Sequence, residues 1–351
     1  MKFTHETFPQ RIVFASGAAG QAVAAEVEAL GRSRVMLIAS DRETSSVDSI
    51  ADRLPVVVRH VEVVAHVPVE VARRARAVAA EHDVDVLVSA GGGSTTGLAK
   101  AVALTTGLPI IAVPTTFAGS EATDVWGLTE GGTKTTGVDR LVLPASIVYD
   151  AGLLTSLPRD TAVASGLNAM AHCVDSMWGP RVDPLDQALA GEGIRALATG
   201  LAAAGGDSTS LEGIEQTLYG AYLGAVAFSS AGSGMHHKIC HVLGGMFNLP
   251  HAQTHAVVLP HVLAFNAPNA ADAERRIARA FEADSAAEGL AALRRVLDAP
   301  RALRDYGMPE DGIVASVAPI LAAVPANNPT PVNAENLTEL LHAAWAGEEP
   351  A

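Results

Sequence analysis

Cysteine is scarce in this chain: Cys173 and Cys240 are the only two in 351 residues. A disulfide framework is thereby excluded, and both thiols are expected to be reduced and buried, with no redox role. Basic residues are also in short supply, because 24 Lys and Arg face 38 Asp and Glu, a formal net charge of −14 at pH 7. That balance excludes nucleic acid and anionic membrane as partners, since both require an attraction to negative charge. An anionic substrate would have to be met by a local basic pocket. No uncharged apolar run reaches the length of a membrane span, and the opening MKFTHETFPQ turns polar at once, unlike the basic, apolar, small-residue order of a secretory leader. A cytoplasmic location is expected. Repeats, low-complexity tracts and linkers rich in Pro and Ser are missing too. Apolar material is plentiful: 49% of the residues are hydrophobic and 18% charged, enough for a core in one large domain or two.

The organisation changes once along the chain. In the first part, apolar β-like runs at 35–39, 56–58, 84–88 and 110–113 alternate with helical stretches such as 20–30 and 69–82. This rhythm predicts βαβ units and a parallel sheet, an α/β domain over 1–151. Beyond it the β-branched runs thin out, and alanine-rich stretches of 3.6-residue periodicity at 161–178, 186–203, 217–226 and 271–297 predict an all-α domain over 152–351. A cleft between two such halves is where a ligand is expected.

The first half carries the pattern of a phosphate site. Residues 84–89 read as a strand, 90–94 (AGGGS) as a turn, and 95–104 as a helix with Ser94 at or near its N-cap. Glycines let the backbone approach a pyrophosphate, and the helix N-terminus offers free N–H groups and the positive end of its dipole. GGGS is not the G-x-G-x-x-G spacing of the common dinucleotide fold, and a tight βα turn of any kind can use glycine. A second run, IIAVPTT ending in Thr115 and Thr116, brings hydroxyls to the same sheet edge. Asp41, beyond the 35–39 strand, stands where an acidic residue accepts a hydrogen bond from an adenosine ribose, or where a loop aspartate caps the next turn.

The second half carries histidine. Six of the twelve fall between His236 and His261, in GMHHKICHVLGGMFNLPHAQTHAVVLPHV. His237, His241, His251 and His255 are spaced so that a helix and the turn after it aim them at one point. Asn168 and His172, like His237 and His241, form an i, i+4 pair on one helix face. Such spacing suits a metal between helices, yet Asn168 stands where a carboxylate is expected to balance the ion's charge. Imidazole also suits proton exchange near neutral pH. His5, His60, His66, His82, His261 and His342 are read as ordinary structural histidines.

The ordered set AGGGSTTGLAK, AVPTTFAGSEAT, SGLNAMAHCVDS and the block from His237 to His261 resembles the iron-containing alcohol dehydrogenase superfamily, and within it is most similar to the maleylacetate reductase branch. The resemblance implies a dinucleotide-binding α/β domain followed by an all-helical domain, a dehydroquinate synthase-like fold, and commonly a homodimer. Metal-dependent members read G-x-D-A-x-x-H where this chain has Gly166 to His172, so the ligand aspartate corresponds to Asn168, and the other ligand positions to His172, His237 and His251, with His241 a further active-site histidine. Gly97 replaces another family Asp, and Thr254-His255 replaces the usual Cys-Asn before Ala256. These departures imply work without bound metal. The resemblance further implies pyrophosphate contacts from Gly92, Gly93 and Ser94, nucleotide contacts from Thr115 and Thr116, a ribose contact from Asp41, and Lys134 near the nicotinamide ribose, a residue that otherwise reads as a solvated loop lysine. Asp41 favours NADH, and Arg42 beside it leaves NADPH open.

The implied reaction is reduction of the carbon–carbon double bond of a small dicarboxylate, maleylacetate, to 3-oxoadipate in aromatic-compound degradation, through an enolate stabilised by hydrogen-bond donors. With the neutral Asn168 in place of an aspartate, no anion is expected beside His172, His237 and His251, and the substrate carboxylates would balance any charge they carry. His241 and His251 are the expected proton donors, with His172, His237 and His255 as contacts. The alternatives are a metal-dependent alcohol or polyol dehydrogenase with Asn168 as neutral ligand, a lyase of the dehydroquinate synthase type, and a non-catalytic metal buffer or nucleotide sensor.

Overall fold

A computed structural model describes residues 1–131, 133–206 and 210–350, with only the backbone at 42, 44–46, 133, 134 and 204–206. Two contact-dense units emerge, Thr7–Leu157 and Met1–Glu6 with Pro158–Ala351; the sequence places the change between 151 and 152.

The first unit is α/β. Its elements are β1 (Arg11–Phe14), α1 (Ala19–Ala29), β2 (Val35–Ile38), α2 (Thr44–Ala51), β3 (Val56–His60), α3 (Val69–Glu81), β4 (Val86–Gly91), α4 (Gly93–Thr106), β5 (Ile110–Pro114), β6 (Val125–Glu130), β7 (Thr133–Val138) and β8 (Ser146–Tyr149). Six strands form one parallel sheet in the order β1-β8-β5-β4-β2-β3. Because strand side chains alternate, Val35 and Leu37 join Val23, Val47 and Ile50 on one face while Met36 and Ile38 join Val71, Leu98 and Val102 on the other. Covering both faces explains the continuous apolar runs. The sequence does not predict β1, β8 or the β6–β7 hairpin. Four residues, RIVF or SIVY, are too short to register a periodicity, and parallel pairing between β1 and β8 spans more than 130 residues of chain. The order places the carboxyl ends of β2, β4 and β5 side by side, where α/β sheets bind ligands.

The second unit is helical: α5 (Arg159–Ser176), α6 (Pro184–Gly206), α7 (Leu211–Ala231), α8 (Met235–Phe247), α9 (His251–Asn266), α10 (Ala271–Phe281), α11 (Ala286–Leu297), α12 (Gly312–Ala323) and α13 (Ala334–Ala346). The predicted stretch 271–297 is two helices. Glu282 turns left-handed at φ +55°, and the Ser285 side chain accepts a hydrogen bond from the Glu288 N–H at 3.2 Å to start the next helix. At the start of α6, Asp183 and Asp186 form a reciprocal cap, each carboxylate accepting from the other's backbone N–H, and His5 Nδ1 lies 2.8 Å from Asp183. His5 therefore ties the first residues to this unit. No helix among the described residues is long and apolar enough to cross a membrane.

Candidate active site

In the first unit, β4 ends at Gly91 and Gly92 is the N-cap of α4. The helix starts at Gly93, two residues before the predicted position, so Ser94 lies inside its first turn rather than at its cap. The cause is local: the Thr95 and Thr96 N–H groups bond the Gly92 carbonyl at 3.0 and 3.2 Å and close the turn early. Thr115, just past β5, donates its N–H to the Gly91 carbonyl at 3.1 Å, and the Thr116 methyl lies 3.2 Å from where a Cβ on Gly92 would stand. Gly92, Gly93, Ser94, Thr115 and Thr116 thus converge at one sheet edge, as expected. Asp41 is exposed in a 3-10 turn just past β2. Lys134 pairs with Thr129 in the hairpin, and its side chain, like that of Arg42, lies outside the described residues.

Glu43, to which the sequence reading assigns no role, reaches the same edge. One carboxylate oxygen accepts from the Thr115 hydroxyl at 2.8 Å, the other from the Ser40 hydroxyl at 2.9 Å. Lys100, at 1% exposure, donates to the carbonyls of Thr123 (2.7 Å) and Val125 (2.8 Å) and to the Thr123 hydroxyl (3.0 Å), fixing the segment after the hydroxyl run. Burial pulls its ammonium down to about 7.

In the second unit, α5 supplies Asn168 and His172, α8 supplies His236, His237 and His241, and α9 supplies His251 and His255. The Phe228 ring of α7 packs against His172 (4.9 Å between centroids) and His237 (4.2 Å). His172 stacks on His237 at 4.9 Å, His237 meets His255 at 4.7 Å, and His255 meets His251 at 4.3 Å; His241 lies 6.0 to 6.3 Å from His237, His251 and His255. All five predicted histidines are brought together. His251 opens α9 as its first residue, because Pro250 in the N-cap position is pre-set for helix entry.

His236 joins them, 5.0 Å from His237 and 4.9 Å from His255, fully buried. Its Nε2 lies 3.2 Å from the His255 carbonyl and its Nδ1 3.4 Å from His237 Nδ1. The expectation of no anion beside these rings is wrong. Asp175, with no exposed surface, accepts from His237 Nδ1 at 2.9 Å, from the Gly234 N–H at 2.9 Å and from the His237 N–H at 3.3 Å. It stands three residues after His172 on α5, so helical spacing was the signal available. Gly234 carries no side chain where this carboxylate packs against it.

Burial decides the charge of the cluster. Desolvation is the leading cause that lowers His172 to about 3 and His236 to about 4, and drives His237 and His255 well below 6.5, while the neighbouring imidazoles add repulsion. Burial also raises Asp175 to about 7. The inner rings are therefore neutral, and His241 and His251 are the exposed members. Among the described residues, several buried atoms here have no hydrogen-bond partner: Asn168 Oδ1, His172 Nδ1, His237 Nε2 and both nitrogens of His255. Buried side chains with unspent donors and acceptors are equipped to take polar atoms from outside the chain.

The donor set does not fit the ion that the family's metal-dependent members hold. Asn168 supplies no charge at the position of the carboxylate. Among the described residues, the buried group whose ligand atoms all lie within 4.8 Å of one another is His236, His237 and His255, and it contains neither His172 nor His251. In that group His236 already directs one nitrogen at a carbonyl and the other at a neighbouring ring.

Known proteins resemble the chain over its whole length. Residues 9–151 match the model of the iron-containing alcohol dehydrogenase family, and residues 162–345 match the model of its C-terminal region. A maleylacetate reductase from Sphingobium indicum is 42% identical over 352 residues, covering 100% of this chain and 99% of its own. A crystal structure of an iron-containing alcohol dehydrogenase from Corynebacterium glutamicum superposes with a TM-score of 0.98 at 57% identity, over 100% of this chain and 99% of that one. A maleylacetate reductase structure from Agrobacterium tumefaciens gives 0.94 at 36% identity, with both chains fully covered. With two family models spanning both units and full-length relatives above 30% identity, the chain belongs to the iron-containing alcohol dehydrogenase family.

Proposed function

We propose that this protein uses NADH, with NADPH as a second donor, to reduce the carbon–carbon double bond of maleylacetate to 3-oxoadipate, without a bound metal. The observation that carries the reading is the six-imidazole cluster with Asn168, and no carboxylate, at the ligand position. Relatives named maleylacetate reductase match this chain from end to end. The nucleotide rests on Gly92, Gly93, Ser94, Thr115 and Thr116, with Lys134 assigned to its nicotinamide ribose by the family motif alone.

A bound NADH would supply hydride to the alkene carbon β to the ketone, with NAD⁺ as the oxidised product and the displaced π electrons moving onto the ketone oxygen as an enolate. A proton then goes to the α carbon and the ketone reforms. His172, His237 and His255 meet the enolate oxygen and the substrate carboxylates with the polar atoms that have no partner within the chain. His237 is held with Nδ1–H toward Asp175, whose carboxylate supports a second proton on Nε2 when the anionic substrate arrives, so that Nε2–H donates to it. Exposed His241 and His251 deliver the proton, because only imidazoles in contact with water are readily recharged. The active species is a homodimer.

The test is a spectrophotometric assay of purified protein with maleylacetate, NADH and a chelator, alongside metal analysis and size-exclusion chromatography with light scattering. Steady loss of NADH absorbance that is insensitive to chelation is expected. Substrate left unreduced, or activity that vanishes on chelation and returns with Fe²⁺ or Zn²⁺, overturns the proposal.

A further inference from the structure

Asp41 is the acidic residue that the sequence offers to the cofactor ribose, but a neighbour in the same turn holds the better position. Asp41 is exposed at the carboxyl end of β2. Glu43 instead bends back across the end of β4. Its oxygens Oε2 and Oε1 lie 2.7 and 2.9 Å from where a Cβ on Gly91 would stand, so the bare backbone of Gly91, at φ +156°, is what admits the carboxylate. From there it reaches the Thr115 hydroxyl beyond β5 at 2.8 Å, the Ser40 hydroxyl beyond β2 at 2.9 Å and the Ser40 N–H at 3.3 Å.

A carboxylate that accepts from hydroxyl donors on both sides, at the edge where the glycine turn receives a dinucleotide, has the chemistry of a diol receptor. It has room for about four hydrogen bonds, and three donors are in place. A vicinal diol can add to them or displace one of the two hydroxyls. A 2′-phosphate can do neither: it brings no donor at neutral pH and adds negative charge beside negative charge.

We propose that Glu43, rather than Asp41, is the specificity-determining residue for the cofactor, accepting the adenosine-ribose hydroxyls of NADH and disfavouring the 2′-phosphate of NADPH, which makes NADPH the weaker donor. This rests on the reading of the protein as an NAD(P)H-dependent reductase.

The experiment is a titration of NADH and NADPH, separately and without substrate, followed by nicotinamide fluorescence, on wild type, E43Q and D41N. Glutamine keeps one acceptor oxygen and the length of the side chain, and thermal melting verifies that each variant is folded. E43Q is expected to weaken NADH and strengthen NADPH, so that the ratio of their dissociation constants moves by about tenfold or more toward NADPH. D41N is expected to move it by less than about threefold. A ratio unchanged in E43Q, or moved further by D41N, overturns the assignment. So does equal tightening of both nucleotides in E43Q, which would make the carboxylate only an obstacle to the diphosphate. Wild-type protein that binds neither nucleotide refutes the underlying reductase reading as well, and the wild-type titration alone reveals it.

Discussion

Replacing Asp175 by Asn separates what this residue does for the reaction from what it does for the fold. The carboxylate fixes the His237 tautomer by accepting from Nδ1 at 2.9 Å, while two backbone N–H groups hold it in place. All three bonds go to one oxygen, Oδ2, so an amide of the same shape keeps its oxygen there and the tautomer with it, but it offers no negative charge to support an imidazolium when the anionic substrate arrives. A hydrogen bond to a charged group contributes about 1.5–3 kcal/mol, so kcat/KM should fall roughly 10- to 150-fold. Stability should move the other way. Burial carries the Asp175 carboxyl from 3.8 to about 7, so the folded state holds this proton more tightly than the unfolded chain. Its contribution is favourable below pH 3.8 and is lost as pH rises to about 7, a loss on the order of 4 kcal/mol at pH 8. D175N has no such loss. Urea unfolding from pH 4 to 8 should show the variant gaining on wild type across that window, while steady-state assays at pH 8 show the deficit in turnover. A variant that is less stable and less active in proportion would reduce Asp175 to a structural part, and one with full activity would refute a role for the carboxylate's charge.

Acid should unfold the protein through its histidines: His172, His236, His237 and His255 stay neutral when folded and protonate near 6.5 when unfolded, so their contribution is full above that pH and lost as pH falls toward 4. The slope approaches about 5 kcal/mol per pH unit for four imidazoles, and a flat urea midpoint between pH 7 and 5 would contradict it. H241A and H251A should each lower turnover by about 100-fold with NADH binding, followed by fluorescence, unchanged; near-normal rates in both would remove them as proton donors. K100A leaves the Thr123 and Val125 carbonyls buried without their donor and opens a cavity, and should lower stability by about 3–5 kcal/mol in chemical denaturation.

How much of this was legible in the sequence depended on whether the signal was local. Four of the six sheet strands announced themselves as β-branched runs, and the glycine turn and histidine block were contiguous in the chain. His172, 65 residues before His237, could be placed with it only because the helix period and the motif agreed. What stayed hidden depended on side chains meeting across the fold. Asp175 sits in the quoted motif, and its spacing puts it beside His172 on α5, but spacing does not say that its oxygen turns toward α8. Glu43 lies two residues after the aspartate that convention favours, and only the missing Cβ at Gly91 shows why it fits. The start of α4 was misplaced because hydrogen bonds to Gly92 close the first turn earlier than glycine's low helix propensity suggests.

Gly234 and Asp175 are 59 residues apart and cannot be varied independently. The acid that orients one imidazole also clasps the first turn of the helix bearing it, so scaffold and reactivity share a single fastening. Anyone reshaping this pocket for a new substrate has to carry the two positions as a matched set: a methyl group added at 234 would pry the clasp open and let the rings of His172 and His237 drift out of register, even with every histidine left in place.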